Sequence, residues 1–124
     1  MNARLVIADD EPDLLRLVSF VLKDYTLFAA RDGEEALHLI RQEQPDLIVM
    51  DVRMPGMSGL EVAEAMAKDA QVASIPIIFL SAKGQEVEIE AGLQTGAKLY
   101  IVKPFDPAEL VLQVEELLKS PYCP

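Results

Sequence analysis

Five short apolar runs alternate with segments of helical periodicity, and this alternation limits the chain to very few folds. Uninterrupted apolar runs such as LIVM and IIFL are typical of strands that are covered on both faces of a sheet. Strands that alternate with helices pair in parallel through right-handed crossovers. The sequence therefore predicts a doubly wound α/β sandwich, a (βα)5 fold. The predicted strands are Arg4–Asp9, Thr26–Ala30, Asp46–Met50, Pro76–Leu80 and Lys98–Val102.

Helix boundaries are indicated by capping residues, proline and glycine. The first helix is expected to begin at Pro12, the second to stop at Pro45, and the third to run to about Asp69. A fourth helix is expected at about Gln85–Thr95, and the last one after Asp106. Three capping boxes are predicted, formed by Asp32 with Glu35, Ser58 with Glu61, and Asp106 with Glu109.

The size and composition are those of one folded domain. The chain has 124 residues, is 51% hydrophobic and carries a net charge of −10, which argues against nonspecific nucleic-acid binding by this domain. No apolar stretch approaches the length of a membrane span, and the acidic residues 9–11 interrupt the N-terminal apolar run, so no signal peptide is expected. The single cysteine, Cys123, is consistent with a reducing cytoplasm. We therefore expect a cytoplasmic domain over residues 1–120, followed by a frayed tail or the start of a linker at 121–124.

Polar residues end four of the five apolar runs. Asp9 and Asp10 end the first run, Asp51 follows the third, Ser81 the fourth and Lys103 the fifth. In a parallel sheet the carboxyl ends of all strands lie at one edge, which is where open α/β sheets bind ligands. Three carboxylates, a hydroxyl and an ammonium group would then share one pocket. This combination suits a hard divalent cation and a phosphoryl group.

Four motifs stand in order at the ends of successive predicted strands: ADDEP, MDVRMPGMSGLE, LSA and YIVKPF. Together they make the chain resemble the receiver domain of two-component response regulators, from about Arg4 to Lys119. The resemblance implies a flavodoxin-like fold with strand order 2-1-3-4-5. It also implies a phosphorylation-controlled signalling module that catalyses only its own phosphorylation and dephosphorylation, and that turns over no free substrate.

The resemblance assigns roles to the acidic residues. Asp51 would accept a phosphoryl group from a sensor histidine kinase or a phosphotransfer protein. Mg²⁺, or Mn²⁺ in its place, would be held directly by Asp10 and Asp51, through water by Asp9, and by the backbone carbonyl of Arg53. A divalent cation offsets the repulsion between a carboxylate and an anionic phosphoryl donor, so this ligand set suits the implied reaction.

The resemblance also assigns roles to residues on the last two strands. Lys103 would pair with Asp51 and then with the phosphoryl oxygens. Ser81 would hydrogen-bond the phosphoryl group and move toward it. Tyr100 would be the coupled aromatic switch, and the Lys103–Pro104 peptide bond would be cis.

Two cations depart from the usual pattern near this site. Arg53 lies two residues past Asp51, and Lys83 lies two residues past Ser81; both positions flank the phosphoryl group in the family. A long cationic side chain can contact phosphoryl oxygens and exclude the water that would attack the phosphorus. We expect Arg53 and Lys83 to lengthen the lifetime of the phosphorylated state. The alternatives are that they stabilise charge in the transition state and shorten that lifetime, or that both point into solvent.

The implied partners are a kinase and an unidentified output domain or target protein. Kinases of this family typically contact the first helix, here around Leu14–Leu22, whereas the output depends on the face formed by the fourth helix, fifth strand and last helix. The sequence fits both a stand-alone receiver and the N-terminal part of a longer, DNA-binding regulator. Leu99 and Ala108 stand where winged-helix regulators carry an acidic residue and an arginine that pair across subunits. We therefore expect a monomer or a weak phosphorylation-dependent dimer.

Two other functions fit parts of the pattern. A Mg²⁺-dependent phosphatase or phosphotransferase of the haloacid dehalogenase type also uses an aspartyl nucleophile, but places it in a DxDx motif after the first strand. Here that segment reads DDEPD, with no aspartate two residues past Asp9 and no cap insertion. A degenerate receiver that acts as a constitutive binding surface is the third reading, and the complete set of site residues argues against it.

Simpler structural roles compete with the functional ones. Asp9 and Asp10 would serve as a cap for the first helix, because acidic side chains are stabilised at helix N-termini. Ser81 would cap a loop, Lys103 would be a solvated surface residue, and Tyr100 would pack in the core. The only histidine, His38, lies mid-helix and is expected to have no catalytic or metal-binding role.

Overall fold

The computed structural model of the chain describes residues 3–82 and 99–119. The predicted helix at Gln85–Thr95, the predicted site residue Lys83 and the tail beyond Lys119 lie outside this part of the chain. The described strands are β1 Arg4–Ala8, β2 Thr26–Ala30, β3 Leu47–Asp51, β4 Ile77–Ala82 and β5 Leu99–Lys103. The described helices are α1 Pro12–Val21, α2 Gly33–Glu43, α3 Gly59–Ala67 and α4 Pro107–Lys119.

The five strands form one parallel sheet in the order β2-β1-β3-β4-β5. The three central strands are almost entirely buried, as expected for apolar runs covered on both faces. The predicted doubly wound fold and its strand order are confirmed. Because β1 and β3 are neighbours, the residues that follow them meet at the carboxyl edge in the middle of the sheet.

Alternate residues of the strands supply two separate apolar cores, one on each face of the sheet. Val6, Ile48 and Phe79 contribute to the face covered by α2 and α3. Their immediate neighbours Ile7 and Val49 point to the opposite face, which is covered by α1 and α4. This division follows from the two-residue period of a strand, and it fixes the register of every strand end.

Two helix starts test the predicted capping boxes. At α3 the box is present: Ser58 Oγ accepts a hydrogen bond from the Glu61 N–H at 3.2 Å, and Glu61 Oε1 accepts one from the Ser58 N–H at 2.9 Å. At α2 the prediction is only half right. Asp32 accepts from the Glu35 N–H, but the Glu35 carboxylate accepts from the Arg31 N–H at 2.9 Å instead of the Asp32 N–H. The Glu35 side chain thus ties the end of β2 to the helix.

The other predicted helix signals give the helix boundaries correctly but not always the hydrogen-bond partner of the capping residue. α2 ends before Pro45 with Gln44 in the left-handed conformation, φ 45°, and the Gln44 N–H donates to the Ile40 carbonyl. Before α4, the Asp106 carboxylate accepts from the Ala108 N–H at 2.9 Å, one residue short of the predicted partner. None of the described helices has the length and apolar content needed to cross a membrane.

Candidate functional site

The carboxyl edge of the sheet brings the predicted polar residues together. β1, β3, β4 and β5 are consecutive neighbours, so Asp9, Asp51, Ser81 and Lys103 come from the ends of four adjacent strands. Asp10 follows Asp9 directly and is exposed, whereas Asp9 and Asp51 are buried. The edge therefore combines two buried carboxylates with one that faces solvent.

The two buried carboxylates are held in the same way. Asp9 Oδ1 accepts a hydrogen bond from the Glu11 N–H at 2.9 Å, and Asp51 Oδ1 accepts one from the Arg53 N–H at 3.2 Å. Their other oxygens face the Lys103 ammonium, at 3.2 Å from Asp9 Oδ2 and 3.0 Å from Asp51 Oδ2. Each carboxylate is thus oriented on one side by a backbone donor two residues later and on the other by a shared cation.

Lys103 is the centre of this cluster. Its side chain is 17% exposed, and Nζ lies within hydrogen-bond distance of three carboxylates, the third being Glu11 Oε1 at 3.2 Å. Burial by itself lowers the pKa of Lys103, but the hydrogen bond and charge of Asp51, the charge of Asp9 and the bond to Glu11 outweigh it and raise the pKa above 10.5. The ammonium therefore stays charged at physiological pH, and the alternative of a solvated surface lysine does not fit.

Asp9 carries the electrostatic cost of this arrangement. Its pKa is raised from 3.8 to about 6, chiefly because burial disfavours the charged carboxylate, and the charge of Asp51 adds to the effect. The Glu11 N–H and the Lys103 ammonium act in the opposite direction and do not cancel it. A cation bound beside Asp9 would favour its ionised form, so this part of the edge suits a further positive charge.

The carboxylates fit a hard divalent cation. Asp9, Asp10 and Asp51 each place one oxygen so that the three lie within 4.8 Å of one another. Mg²⁺ prefers oxygen ligands and keeps several waters, so a few carboxylates with one open to solvent meet its needs, and the same donors suit Mn²⁺. The backbone carbonyl of Arg53, whose N–H already bonds Asp51, remains a predicted further ligand.

The remaining predicted residues divide between this edge and its surroundings. Ser81 is fully buried, and its Oγ has no hydrogen-bond partner among the described residues, so no loop-capping role is visible there. Tyr100 lies on β5 and is 38% exposed, which opposes a role as a core residue. The Lys103–Pro104 peptide bond is cis, the isomer that the resemblance implies. Arg53 is exposed next to Asp51.

The loop after Asp51 is fixed by a close backbone approach that sequence reasoning missed. The Gly59 N–H donates to the Val52 carbonyl at 2.8 Å and closes the loop. A Cβ atom at Gly59 would lie 2.3 Å from the Asp51 carbonyl oxygen, closer than any side chain is tolerated. Within the loop, Gly56 has φ +75°, a conformation that favours glycine. The two glycines were visible in the sequence only as loop signals, because their contacts depend on the fold.

Glu11 is the second residue that sequence reasoning missed. It was visible only as the end of an acidic run, and its partner Lys103 lies 92 residues away in the chain. The alternative of Asp9 and Asp10 as helix caps is also not observed: Glu11 is the N-cap of α1, and no side chain caps that helix. Asp9 binds the Glu11 N–H instead, which ties the start of α1 to the site.

A parallel sheet in the order 2-1-3-4-5, with three aspartates and a lysine at its carboxyl edge, places the chain among the flavodoxin-like doubly wound α/β domains, which bind ligands at that edge. The family described as "Response regulator receiver domain" matches residues 5–115, nearly the whole chain. The chain belongs to this family.

Individual relatives agree with this assignment. The "DNA-binding response regulator MtrA" of Mycolicibacterium smegmatis is 36% identical over 121 residues, which cover 96% of this chain and 52% of that protein. The chain thus spans about half the length of this curated relative. A chemotaxis response regulator from Vibrio cholerae, CheY4, has a solved structure with TM-score 0.87 and 31% identity, covering 94% of this chain and 99% of that one. The receiver domain of the Francisella response regulator 1452 is similar with TM-score 0.85 and 33% identity, over 95% and 98% of the two chains.

Proposed function

We propose that this chain is a phosphorylation-controlled receiver in which Asp51 accepts a phosphoryl group from a phosphohistidine. The observation that carries this proposal is the position of the Asp51 carboxylate. It is buried at the end of the central strand, is within 4.8 Å of ligand oxygens of Asp9 and Asp10, and lies 3.0 Å from the Lys103 ammonium. Membership of the receiver family supports the same role.

In the proposed reaction an oxygen of Asp51 forms a bond to phosphorus while the bond from phosphorus to the donor imidazole nitrogen breaks. The product is an acyl phosphate on Asp51. Asp9, Asp10 and Asp51, with the Arg53 carbonyl, would hold Mg²⁺ or Mn²⁺, and the cation would offset the repulsion between the carboxylate and the anionic donor. Lys103 already lies against the reacting carboxylate, so its ammonium can pass to a phosphoryl oxygen with little movement.

Ser81 and Tyr100 would couple this chemistry to the output. The Ser81 hydroxyl is fully buried near the end of β4, next to β3, and has no hydrogen-bond partner within residues 3–82 and 99–119; a phosphoryl oxygen would give it one. Unsatisfied buried hydroxyls are costly, so this bond favours the phosphorylated arrangement. Movement of Ser81 would then be coupled to movement of Tyr100 on the neighbouring strand, and the conformation of the face that includes β5 and α4 would change.

The kinase or phosphotransfer partner is expected to dock on α1. This helix begins at the carboxyl edge and exposes Leu17 and Phe20, the latter 65% exposed. A groove of about 290 Å³ lies beside it and carries two arginines, although the net charge of the chain is −10. Exposed apolar side chains next to such a groove are typical of an interaction surface. The groove is lined by Pro12, Leu15, Arg16, Ser19, Ala29 and Arg31.

The output is proposed to be an effector domain or a separate target protein. The receiver would act in the cytoplasm and would control this output through the face that includes β5 and α4. The relative MtrA is named a DNA-binding response regulator and is about twice as long as this chain. An effector of that kind would supply the nucleic-acid contact, because a receiver with net charge −10 is poorly suited to bind phosphates itself.

Labelling with acetyl phosphate tests the proposal. With Mg²⁺ we expect one added phosphoryl group by intact mass spectrometry and phosphate-affinity gels, no labelling of Asp51→Asn, and full labelling of the exposed control Asp24→Asn. Labelling of Asp51→Asn equal to that of the wild type would overturn the assignment. Turnover of p-nitrophenyl phosphate would instead favour a phosphatase of the haloacid dehalogenase type.

A further inference from the structure

The Lys103 ammonium has three donor hydrogens and three carboxylate neighbours, and the three neighbours are not equivalent. Asp9 and Asp51 are buried, whereas the Glu11 side chain is 63% exposed and approaches Nζ from the solvent side at 3.2 Å. Glu11 thus completes a set of three acceptors around the Lys103 ammonium, which contacts the proposed phosphoacceptor Asp51.

The Glu11 contact is not a by-product of helix capping. Glu11 is the N-cap of α1, yet its side chain makes no capping hydrogen bond. By contrast, the N-cap residues Asp32 and Ser58 of the two following helices both accept from a backbone N–H of their own first turn. The Glu11 backbone is fixed by its N–H bond to Asp9, and its carboxylate extends to Lys103 instead of the helix end.

Among the three neighbours of Lys103, Glu11 alone lies outside the group of oxygens that could hold a metal. In the proposed reaction, oxygens of Asp9 and Asp51 must turn to the cation and to phosphorus, so Lys103 loses contacts that it has in this structure. The Glu11 carboxylate does not bind the metal or the phosphorus in the proposed reaction, so it can keep its hydrogen bond to the Lys103 ammonium while Asp51 is phosphorylated.

We propose that Glu11 is a positioning residue that holds the Lys103 ammonium in place while Asp51 is phosphorylated. The inference rests on the proposed function. Because Glu11 is largely exposed, its contact with Lys103 is screened by water and by salt. Its loss should therefore slow phosphorylation by about three- to fivefold without abolishing it.

The kinetic test compares Glu11→Ala and Glu11→Gln with Asp13→Asn. The control removes one negative charge from the first turn of the same helix, where Asp13 is exposed and contacts Arg16 instead of Lys103. With acetyl phosphate and saturating Mg²⁺, we expect Glu11→Ala to be slowed and Asp13→Asn to match the wild type. Glu11→Gln keeps an acceptor oxygen at the same reach and should recover part of the rate.

A second measurement needs neither metal nor phosphoryl donor. The exchange of the Lys103 ammonium protons with water can be followed by ¹⁵N NMR at low temperature, with the signal assigned by its absence from Lys103→Arg. If Glu11 covers the third donor, Glu11→Ala should speed this exchange by about threefold or more, since a donor released to water loses its protection. Asp13→Asn should leave the exchange unchanged.

The outcomes separate the two proposals. A Glu11→Ala protein that matches Asp13→Asn in either the phosphorylation rate or the proton exchange refutes the positioning role, because the role requires both effects. A wild-type protein that takes up no phosphoryl group refutes the proposed function and this role together.

Discussion

Replacing Asp9 by asparagine should stabilise the metal-free protein at neutral pH. The pKa of Asp9 is raised from 3.8 to about 6 because the carboxylate is buried and lies near Asp51. The folded protein therefore binds this proton more tightly than the unfolded chain does. Between about pH 4 and pH 6 the folded state carries the extra proton, so the free energy of unfolding falls as the pH rises through this window.

The size of the effect follows from the shift. A difference of about two pKa units corresponds to roughly 3 kcal/mol of lost stability once Asp9 is ionised in both states. Asparagine avoids that loss and can still accept the Glu11 N–H, but its amide is a poorer partner for Lys103 than a carboxylate. Allowing about 1 kcal/mol for the weakened contact, we expect a net gain of about 1–2 kcal/mol near pH 7.5.

Urea unfolding in EDTA at about pH 7.5 and pH 4.5 measures this gain. The advantage of Asp9→Asn should shrink at the lower pH, where the wild-type carboxylate is already neutral in the folded protein. The exposed control Asp24→Asn should show no comparable pH-dependent gain. Saturating Mg²⁺ should stabilise the wild type more than the variant, because a ligand that binds only the folded state adds to its stability. A variant less stable than the wild type in EDTA at pH 7.5 would refute the account of Asp9.

Three further predictions concern the neighbourhood of the site. Gly59→Ala places a Cβ atom 2.3 Å from the Asp51 carbonyl oxygen, which cannot move aside, so urea unfolding should show a loss of about 2–3 kcal/mol in the free energy of unfolding. The control Ser58→Ala removes only the helix cap and should lose about 1 kcal/mol. Equal losses would count against the steric argument. Arg53→Ala and Lys83→Ala should each shorten the life of the aspartyl phosphate, and decay no faster than in the wild type would refute shielding. Because Leu99 and Ala108 offer no charge for cross-subunit pairs, any dimer formed with beryllofluoride should persist at high salt in ultracentrifugation, whereas dissociation by salt would contradict this.

The fold was predictable from the sequence because apolar strand patterns alternate with helical patterns along it, and the described strands and helices follow that order over residues 4–82. The predicted strand ends were nevertheless one or two residues off: β3 extends to Asp51, β4 to Ala82 and β5 to Lys103. The apolar pattern shows which side chains are buried, whereas the backbone hydrogen bonds of the sheet continue beyond the last apolar residue. Asp51, for example, still pairs with Leu80 in the sheet although its side chain is charged.

The residues of the site were predictable because the carboxyl ends of parallel strands meet at one edge of the sheet. The hydrogen-bond partners within the site were not predictable from the sequence. Glu35 was predicted to complete a capping box and Glu11 stood out only as the end of an acidic run, and each instead bonds a group outside its helix. Local sequence states which side chains are near a helix end, but the choice of partner depends on distances that only the assembled sheet defines.

The same geometry explains why a receiver would keep an arrangement that costs stability. The Lys103 ammonium lies against the carboxylates of Asp9, Glu11 and Asp51, and Asp10 adds a further carboxylate near Asp9 and Asp51. Burial, together with the nearby charge of Asp51, raises the pKa of Asp9 and lowers stability at neutral pH, yet grouped carboxylates also make a divalent cation favourable. If Asp9 or Asp10 were neutral, the domain would be better balanced electrostatically but would have less affinity for the cation that phosphorylation of Asp51 needs. Asp9→Asn tests this argument, because the same variant should have a larger free energy of unfolding and a lower affinity for Mg²⁺ than the wild type.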